Sequence, residues 1–308
     1  MSFSSVIKAE LCRVESRKIC CAHAEIAAAF AINRAAGVPP DCLVTENAAF
    51  ARRVYSLFRF LRLKPPEIGI DKNKKLYKSV TYVVRLNTPE DSSAVINGGK
   101  EAGGADIGGL RSLIKKKCCK KAALRGAFLA AGSISDPDKL YHLEIYSKNK
   151  DLTRYFAGLI VDFNLNPKIT ERSEYYVAYI KDSSQIVDFL NLTGAHQALL
   201  ALENTRILKD MRNNVNRAVN CETANLEKTV NASLRQNANI AYIKETIGFE
   251  ALPAILRDIA TIRENNKEIS LKELGQLLDP PLGKSGVNHR LRRLDMLAGE
   301  LRLKNNSL

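Results

Sequence analysis

Tryptophan is absent from this chain of 308 residues, and aromatic residues make up only 6% of it. The sequence also lacks an apolar run long enough to cross a bilayer and an apolar signal core near its first residue. These absences predict a cytoplasmic protein with no membrane partner. With 45% hydrophobic and 26% charged residues, the composition is that of a globular protein, not a disordered one.

The CxxC spacing of common zinc sites is also missing, although cysteine occurs seven times. An odd number of cysteines argues against a framework of disulfides. Adjacent cysteines such as Cys20 and Cys21 are poorly shaped for one disulfide or for a zinc site. We therefore predict reduced thiols, no bound metal and no other cofactor. The seven are Cys12, Cys20, Cys21, Cys42, Cys118, Cys119 and Cys221.

Acidic residues are scarce relative to basic ones, with 33 Asp and Glu against 47 Lys and Arg, which gives a net charge of +14. This excess favours a polyanionic partner, because cations that neutralise phosphates release condensed counterions. Basic residues form two clusters in the first part of the sequence. Each cluster alone fits a solubilising surface as well as a DNA-facing strip. One comprises Arg111, Lys115, Lys116, Lys117, Lys120, Lys121 and Arg125; the other comprises Arg52, Arg53, Arg59, Arg62, Lys64, Lys72, Lys74, Lys75 and Lys78.

Residues 270–298 predict two short amphipathic helices joined by a tight connection. Ser270 and Glu273 have the spacing of a capping box, which marks the start of a helix. Asp279-Pro280-Pro281 ends that helix, because proline lacks an amide donor. Ser285 is placed to cap the second helix. The apolar stripes that would pack together are Leu271, Leu274, Leu277 and Leu278 on the first helix and Val287, Leu291, Leu294 and Ala298 on the second.

Polar and basic side chains cover the other faces of the second helix. Asparagine can pair with adenine and arginine with guanine in the major groove, and a lysine near the helix start can reach a phosphate. The pattern therefore favours a helix-turn-helix DNA reader over a merely solvated basic helix. The candidate DNA-binding residues are Lys284, Ser285, Asn288, His289, Arg290, Arg292 and Arg293.

An internal duplication occupies roughly the first 200 residues. Residues 20–34 align without gaps with residues 118–132, and both copies begin with a pair of cysteines. A shorter match pairs residues 91–96 with residues 182–187. We predict an α+β fold built from two αββαββα-type copies. In the second copy we expect, in this order, a helix over 120–131, a strand over 140–146, a helix over 149–163, a hairpin of 167–172 with 175–180 and a helix from 183. In the first copy we expect a strand over 76–86.

The first helix of each copy resembles the LAGLIDADG motif of homing endonucleases, over residues 26–34 and 124–132. Small residues such as Ala27, Ala28 and Gly126 would let these two helices lie side by side. In the nuclease, the eighth motif residue of each helix is an acid that holds divalent metal ions. Here those positions are Asn33 and Ala131, so we expect the fold without the catalysis. The nearest acids, Glu25 and Asp136, lie too far from that end of the helices to replace them.

The whole chain resembles the WhiA family of bacterial regulators, most specifically at residues 277–282, 284–292 and 125–134. The resemblance implies a DNA-binding transcriptional regulator linked to sporulation, cell division and chromosome segregation, and hence association with the nucleoid. It also implies a degenerate LAGLIDADG-like domain followed by an all-α helix-turn-helix domain. We place these at 1–197, with copies of about 1–100 and 101–197, and at 223–308, with a linker helix at 198–222.

The leading interpretation is a non-enzymatic, sequence-specific binder of double-stranded DNA, and two alternatives to it remain. The first is an active, metal-dependent LAGLIDADG-type endonuclease that uses acids not yet placed. The second is an N-terminal domain that serves as an interaction or regulatory module, with other regulatory proteins as partners. In the leading interpretation, auxiliary phosphate contacts come from Lys115, Lys116, Lys117, Lys120, Lys121, Arg206 and Arg212.

Overall fold

The structure, a computed structural model, describes residues 2–72, 80–87 and 107–305. Lys74, Lys75, Lys78 and the repeat match at 91–96 lie outside these ranges. The chain divides into two compact units, Met1–Asp210 and Met211–Leu308. None of the helices in the described ranges combines the length and the apolar character that a membrane span requires.

The first copy of the duplicated segment alternates helices with a small antiparallel sheet. Its strands Cys42–Thr45 (β1), Glu67–Lys72 (β2) and Val80–Arg85 (β3) have the order β1-β3-β2. The strand predicted over 76–86 is observed as β3, and residues 76–79 lie outside the described ranges. Asn47 begins the third helix, because its side chain accepts hydrogen bonds from the backbone N–H groups of Ala49 and Phe50. The elements are α1 Phe3–Leu11, α2 Ile19–Ala35, β1 Cys42–Thr45, α3 Ala48–Phe60, β2 Glu67–Lys72 and β3 Val80–Arg85.

The second copy has the predicted αββαββα order from its leading helix onward. Its antiparallel sheet has the order β4-β5-β7-β6. Asn149 and Asp182 cap the helices that follow them, as their side chains accept backbone hydrogen bonds in the first turn. The elements are α4 Ile107–Leu113, α5 Lys117–Ala131, β4 Gly132–Ile134, β5 Leu143–Ser147, α6 Lys150–Val161, β6 Lys168–Arg172, β7 Tyr175–Ile180 and α7 Ser183–Thr193.

Two details differ from the predicted pattern. The strand expected over 140–146 is shifted to Leu143–Ser147, because residues 137–139 form a turn and pairing with β7 starts at Leu143. Among the described residues, the first copy has a single strand between α2 and α3, where the second copy has two between α5 and α6. The two copies of the duplicated segment are therefore related in topology without being identical.

Helices α2 and α5 form the centre of the first unit, packed side by side as the small residues predict. A Cβ atom added to Gly126 of α5 would collide with the backbone oxygen of Glu25 in α2. The close approach of the two backbones therefore depends on the missing side chain at Gly126. Large side chains from both copies complete one continuous core around the pair, among them Phe30, Phe58, Phe128, Phe156 and Phe189.

The second unit is entirely helical in its described residues. The linker helix expected at 198–222 does not end at 222, because it is part of one continuous helix, α8 His196–Ile247. Asparagine lowers helix stability only slightly, and this stretch holds neither glycine nor proline to break it. A 3₁₀ turn at Phe249–Ala251 follows, then α9 Ala254–Asn265, α10 Leu271–Gln276 and α11 Lys284–Asn305.

Candidate nucleic-acid interface

The start of α10 has the capping box that the sequence predicts. The Ser270 backbone N–H donates to Glu273 Oε2 at 2.8 Å, and the Glu273 N–H donates to Ser270 Oγ at 3.3 Å. Hydrogen bonds from the backbone and the side chain of Ser270 favour the ionised carboxylate and lower the pKa of Glu273. The reciprocal bonds satisfy backbone donors that a helix start leaves without partners, so α10 is fixed at its first residue.

The connection between α10 and α11 folds back onto α10. The Leu282 N–H donates to the Gly275 carbonyl oxygen at 2.9 Å, and a Cβ on Gly275 would collide with the Leu282 oxygen. Two predictions in this region are wrong. Leu277 is 54% exposed, because the helix ends at Gln276 and Leu278 alone turns inward. Helix α11 begins at Lys284, so Ser285 lies within its first turn and does not cap it.

Helix α11 packs through the predicted apolar stripe of Val287, Leu291, Leu294 and Ala298, which are all buried. They join a core that includes Ile243, Ile259 and Leu274 of the same unit. The helix is therefore held rigidly along one face.

The predicted DNA-binding residues are brought together on the rest of that helix. Ser285, Asn288, His289 and Arg292 follow an i, i+3, i+4, i+7 pattern and form one continuous face. Lys284, Arg290 and Arg293 flank it. Asn288 and Arg290 are half-buried, and the other five are exposed.

The charge of this surface is not neutralised by any described residue of the unit. No acidic residue occurs between Asp279 and Asp295. The Asp295 carboxylate is already engaged, accepting from Asn239 Nδ2 at 2.7 Å and from Arg235 Nη2 at 3.3 Å. Across residues 2–72, 80–87 and 107–305, no hydrogen bond or ion pair occupies the side chains of the seven predicted residues. They are free to bind an anion from outside.

The auxiliary cations are more varied. Lys115, Lys116 and Lys117 are exposed, and so are Lys121 and Arg212. Lys120 Nζ instead lies 2.7 Å from Asp162 Oδ2. Arg206 Nη1 lies 3.3 Å from Glu203 Oε1. The exposed members suit phosphate contacts better than the two whose charge is already paired.

Arg53 and Arg125 do not belong to any DNA-facing strip, contrary to the clusters drawn from the sequence. Both are buried around Glu25, which is 1% exposed. Arg53 donates to Glu25 through Nε and, at 2.9 Å, through Nη2. Arg125 Nη2 donates to Glu25 Oε2 at 2.6 Å and its Nη1 to the Thr193 carbonyl oxygen at 3.1 Å. This triad of Glu25 with two arginines ties α2 to α3 and α5.

The positions that carry acids in the nuclease motif serve packing in this chain. Asn33 is buried at the end of α2, where its Nδ2 donates to the Ala29 oxygen at 3.3 Å and its Oδ1 accepts from the Val44 N–H at 2.9 Å. Ala131 is buried at the end of α5 and offers no ligand atom. Glu25 is held in its triad, and Asp136 Oδ1 accepts from the Asp138 N–H at 3.1 Å. A hard divalent cation needs carboxylate ligands that this end of the helix pair does not offer among the described residues.

Family models match three successive parts of the chain. Models of the WhiA N-terminal LAGLIDADG-like domain, the WhiA LAGLIDADG-like domain and the WhiA C-terminal HTH domain match residues 42–96, 120–212 and 215–298. A protein of Ruminiclostridium cellulolyticum named probable cell division protein WhiA is 51% identical over 99% of both chains. One of Bacillus subtilis with the same name is 45% identical over 98% of both chains.

The fold is also similar to that of a solved structure. The crystal structure of full-length DUF199/WhiA from Thermatoga maritima is 28% identical, has a TM-score of 0.59, and is matched over 97% of this chain and 99% of that one. The resemblance to this family that the sequence predicts is thus confirmed over nearly the whole length. On these grounds, the chain belongs to the WhiA family.

Proposed function

We propose that the protein is a sequence-specific regulator of transcription that binds double-stranded DNA and catalyses no reaction. The observation that carries this proposal is the surface of α11, where unengaged cations and polar side chains stand on a helix whose other face is locked into a core. Such a helix can enter a major groove without breaking any of the core contacts that hold it in place. The name of the relatives adds a proposed link to cell division, and the family resemblance adds sporulation and chromosome segregation.

The two groups of residues on α11 have different proposed roles. The face opposite or beside the buried stripe can approach the bases, so its side chains would read base edges. These side chains are Ser285, Asn288, His289 and Arg292. Lys284, Arg290 and Arg293 lie along the margins, where they would bind phosphates and set the position of the helix. Exposed lysines of the first unit would add contacts that carry no sequence information.

The proposed absence of nuclease activity rests on Asn33 and Ala131, which offer no anionic oxygen. The test is incubation of supercoiled plasmid with the full chain and Mg²⁺ or Mn²⁺. We expect no nicking above that of the protein-free reaction. Metal-dependent nicking that copurifies with the chain would favour the endonuclease alternative.

The DNA-reading assignment is tested by selecting a preferred duplex from a random pool and measuring its affinity for variants of the full chain. Asn288→Ala and Arg292→Ala should each weaken binding to this duplex by about 1–3 kcal/mol for every hydrogen-bonded base that the side chain reads, and should relax the sequence preference at one position. Arg302→Ala is the matched control, since it removes the same charge from the same helix outside the proposed face. Equal affinities for all four proteins would refute the assignment.

A second set of variants separates DNA contact from protein interaction in the first unit. Replacing Lys115, Lys116 and Lys117 together by alanine should weaken specific and non-specific duplexes equally. The slope of log affinity against log salt should fall by about 0.9 for each phosphate that is no longer neutralised. An unchanged slope would instead favour the alternative in which this unit binds regulatory proteins.

A further inference from the structure

Four thiols from the two copies of the duplicated segment meet in the first unit. The sulfur atoms of Cys20, Cys21, Cys118 and Cys119 all lie within 4.8 Å of one another. Cys119 is buried, the other three are half-buried, and all four are free cysteines. Neither pair forms a site alone, so the cluster exists only because α2 and α5 lie side by side.

The placement of these thiols follows from the duplication. Each pair stands in the first turn of its helix, α2 from Ile19 and α5 from Lys117. Neither helix has a side-chain cap, whereas Asn47, Asn149 and Asp182 cap other helices of the same unit. The four thiols therefore lie at the N-terminal ends of two helices, where the aligned backbone dipoles place positive partial charge.

We propose that these four cysteines bind one Zn²⁺ ion as thiolates. A zinc–sulfur distance of about 2.3 Å in a tetrahedron places ligand sulfurs about 3.8 Å apart, so the four atoms need only small side-chain rotations to reach that geometry. Four thiolates around a single ion are the donor set of structural zinc. Two helix N-termini, together with Lys18 and Lys116 at their cap positions, offset the negative charge of such a complex.

This site is distinct from the metal site of the nuclease fold. Cys21 and Asn33 are twelve residues apart on α2, and Cys119 and Ala131 are twelve residues apart on α5. At 1.5 Å per residue, about 18 Å separates the two ends of each helix. The ligands also differ in kind, since thiolates prefer soft ions and carboxylates prefer hard ones. The zinc would join the leading helices of the two copies and leave the opposite end without a metal.

The experiment begins with the full chain, purified without an affinity tag under reducing conditions and without chelator. Elemental analysis should find one zinc per chain. Replacing the zinc by Co²⁺ should produce the visible absorption of a tetrahedral thiolate complex. This measurement on the unaltered chain keeps the proposal testable even if a cysteine variant does not fold.

The variants Cys21→Ser and Cys118→Ser take one ligand from each copy. Each should lose stoichiometric zinc and the cobalt spectrum, and each should unfold at a lower temperature. Cys221→Ser, which removes an exposed thiol of α8, should retain both the metal and the spectrum.

Three results would overturn the proposal. They are a reduced chain that takes up neither zinc nor cobalt, stoichiometric iron in place of zinc, or a disulfide between the two cysteine pairs in freshly purified protein.

Discussion

Two arginines of the first unit and two arginines of the second serve opposite purposes. In the first unit, Arg53 and Arg125 are buried and share the carboxylate of Glu25. In the second unit, Arg292 and Arg293 are exposed, and within the described residues no acid pairs with them. Both kinds stand in basic stretches of sequence. For these four arginines, the presence of a facing acid, and not the cations beside them in the sequence, separates those that hold the fold from those that remain available to a ligand.

The largest expected effect follows from removal of that acid. Glu25→Ala leaves two guanidinium groups buried without a counter-ion and should lower the free energy of unfolding by about 3–5 kcal/mol. Chemical denaturation of the full chain, followed by circular dichroism, measures this change.

The matched control is the exposed pair of Lys148 and Glu174, whose atoms Nζ and Oε2 lie 2.7 Å apart. Glu174→Ala should change stability little, because water already screens that pair. Similar losses in the two variants would mean that the buried triad contributes no more than a surface ion pair, and the contrast between the two kinds of arginine would disappear.

A smaller effect is expected from the glycines at which backbones approach closely. Gly126→Ala and Gly275→Ala would each place a methyl group against a carbonyl oxygen, that of Glu25 and that of Leu282 respectively. Each should cost about 1–3 kcal/mol of stability, because the packed elements must move apart. Thermal unfolding of the full chain measures both.

Gly158 and Gly299 provide the controls for this pair, one in each unit. Both lie in helices with open space where a Cβ would be, so alanine there should stabilise its helix by about 0.5–1 kcal/mol. Destabilisation of all four variants alike would show that close approach is not what selects glycine at 126 and 275.

The sequence alone placed most elements of the second copy, though not α4 or β4, and it predicted the packed face of α11, because these features depend on local spacing. Val287, Leu291 and Leu294 recur at helical intervals, and no distant contact is needed to place them. The capping box at Ser270 is local as well. The choice of base readers among the exposed residues of α11 stays a prediction.

What the sequence did not reveal depends on partners far along the chain. Arg125 follows a run of lysines, but the carboxylate that it binds belongs to a residue 100 positions earlier. The cysteine cluster was missed for the same reason, since each pair lacks a recognisable metal spacing. The duplication held the usable signal, because two copies packed side by side bring equivalent positions together.

The continuity of α8 was missed for another reason. The asparagines between residues 213 and 225 disfavour a helix only weakly, and this weak local preference does not outweigh the helix on both sides. Only Gly248, at a φ of 75°, ends the helix.

A further prediction concerns the start of α10, the helix that precedes α11. Ser270→Ala removes the acceptor for the Glu273 N–H and should cost about 1 kcal/mol of stability. Ser270→Asp, which keeps an acceptor at the same position, should restore most of the loss in thermal unfolding. If the aspartate variant were no more stable than the alanine variant, the cap would not account for the effect.

The smallest expected change in stability, at Arg292, makes the comparison between the two units sharpest. Arg292→Ala removes an exposed side chain that contacts no acid in the described part of the chain, so the free energy of unfolding should shift by no more than about 0.5 kcal/mol. The same variant is expected to lose affinity for duplex DNA. Measuring denaturation and DNA binding on one preparation separates the two quantities, because a loss of both together would mean that Arg292 supports the fold as Arg125 does. An unchanged fold with weakened binding would place the two arginines in different classes, one required for folding and the other available to the DNA.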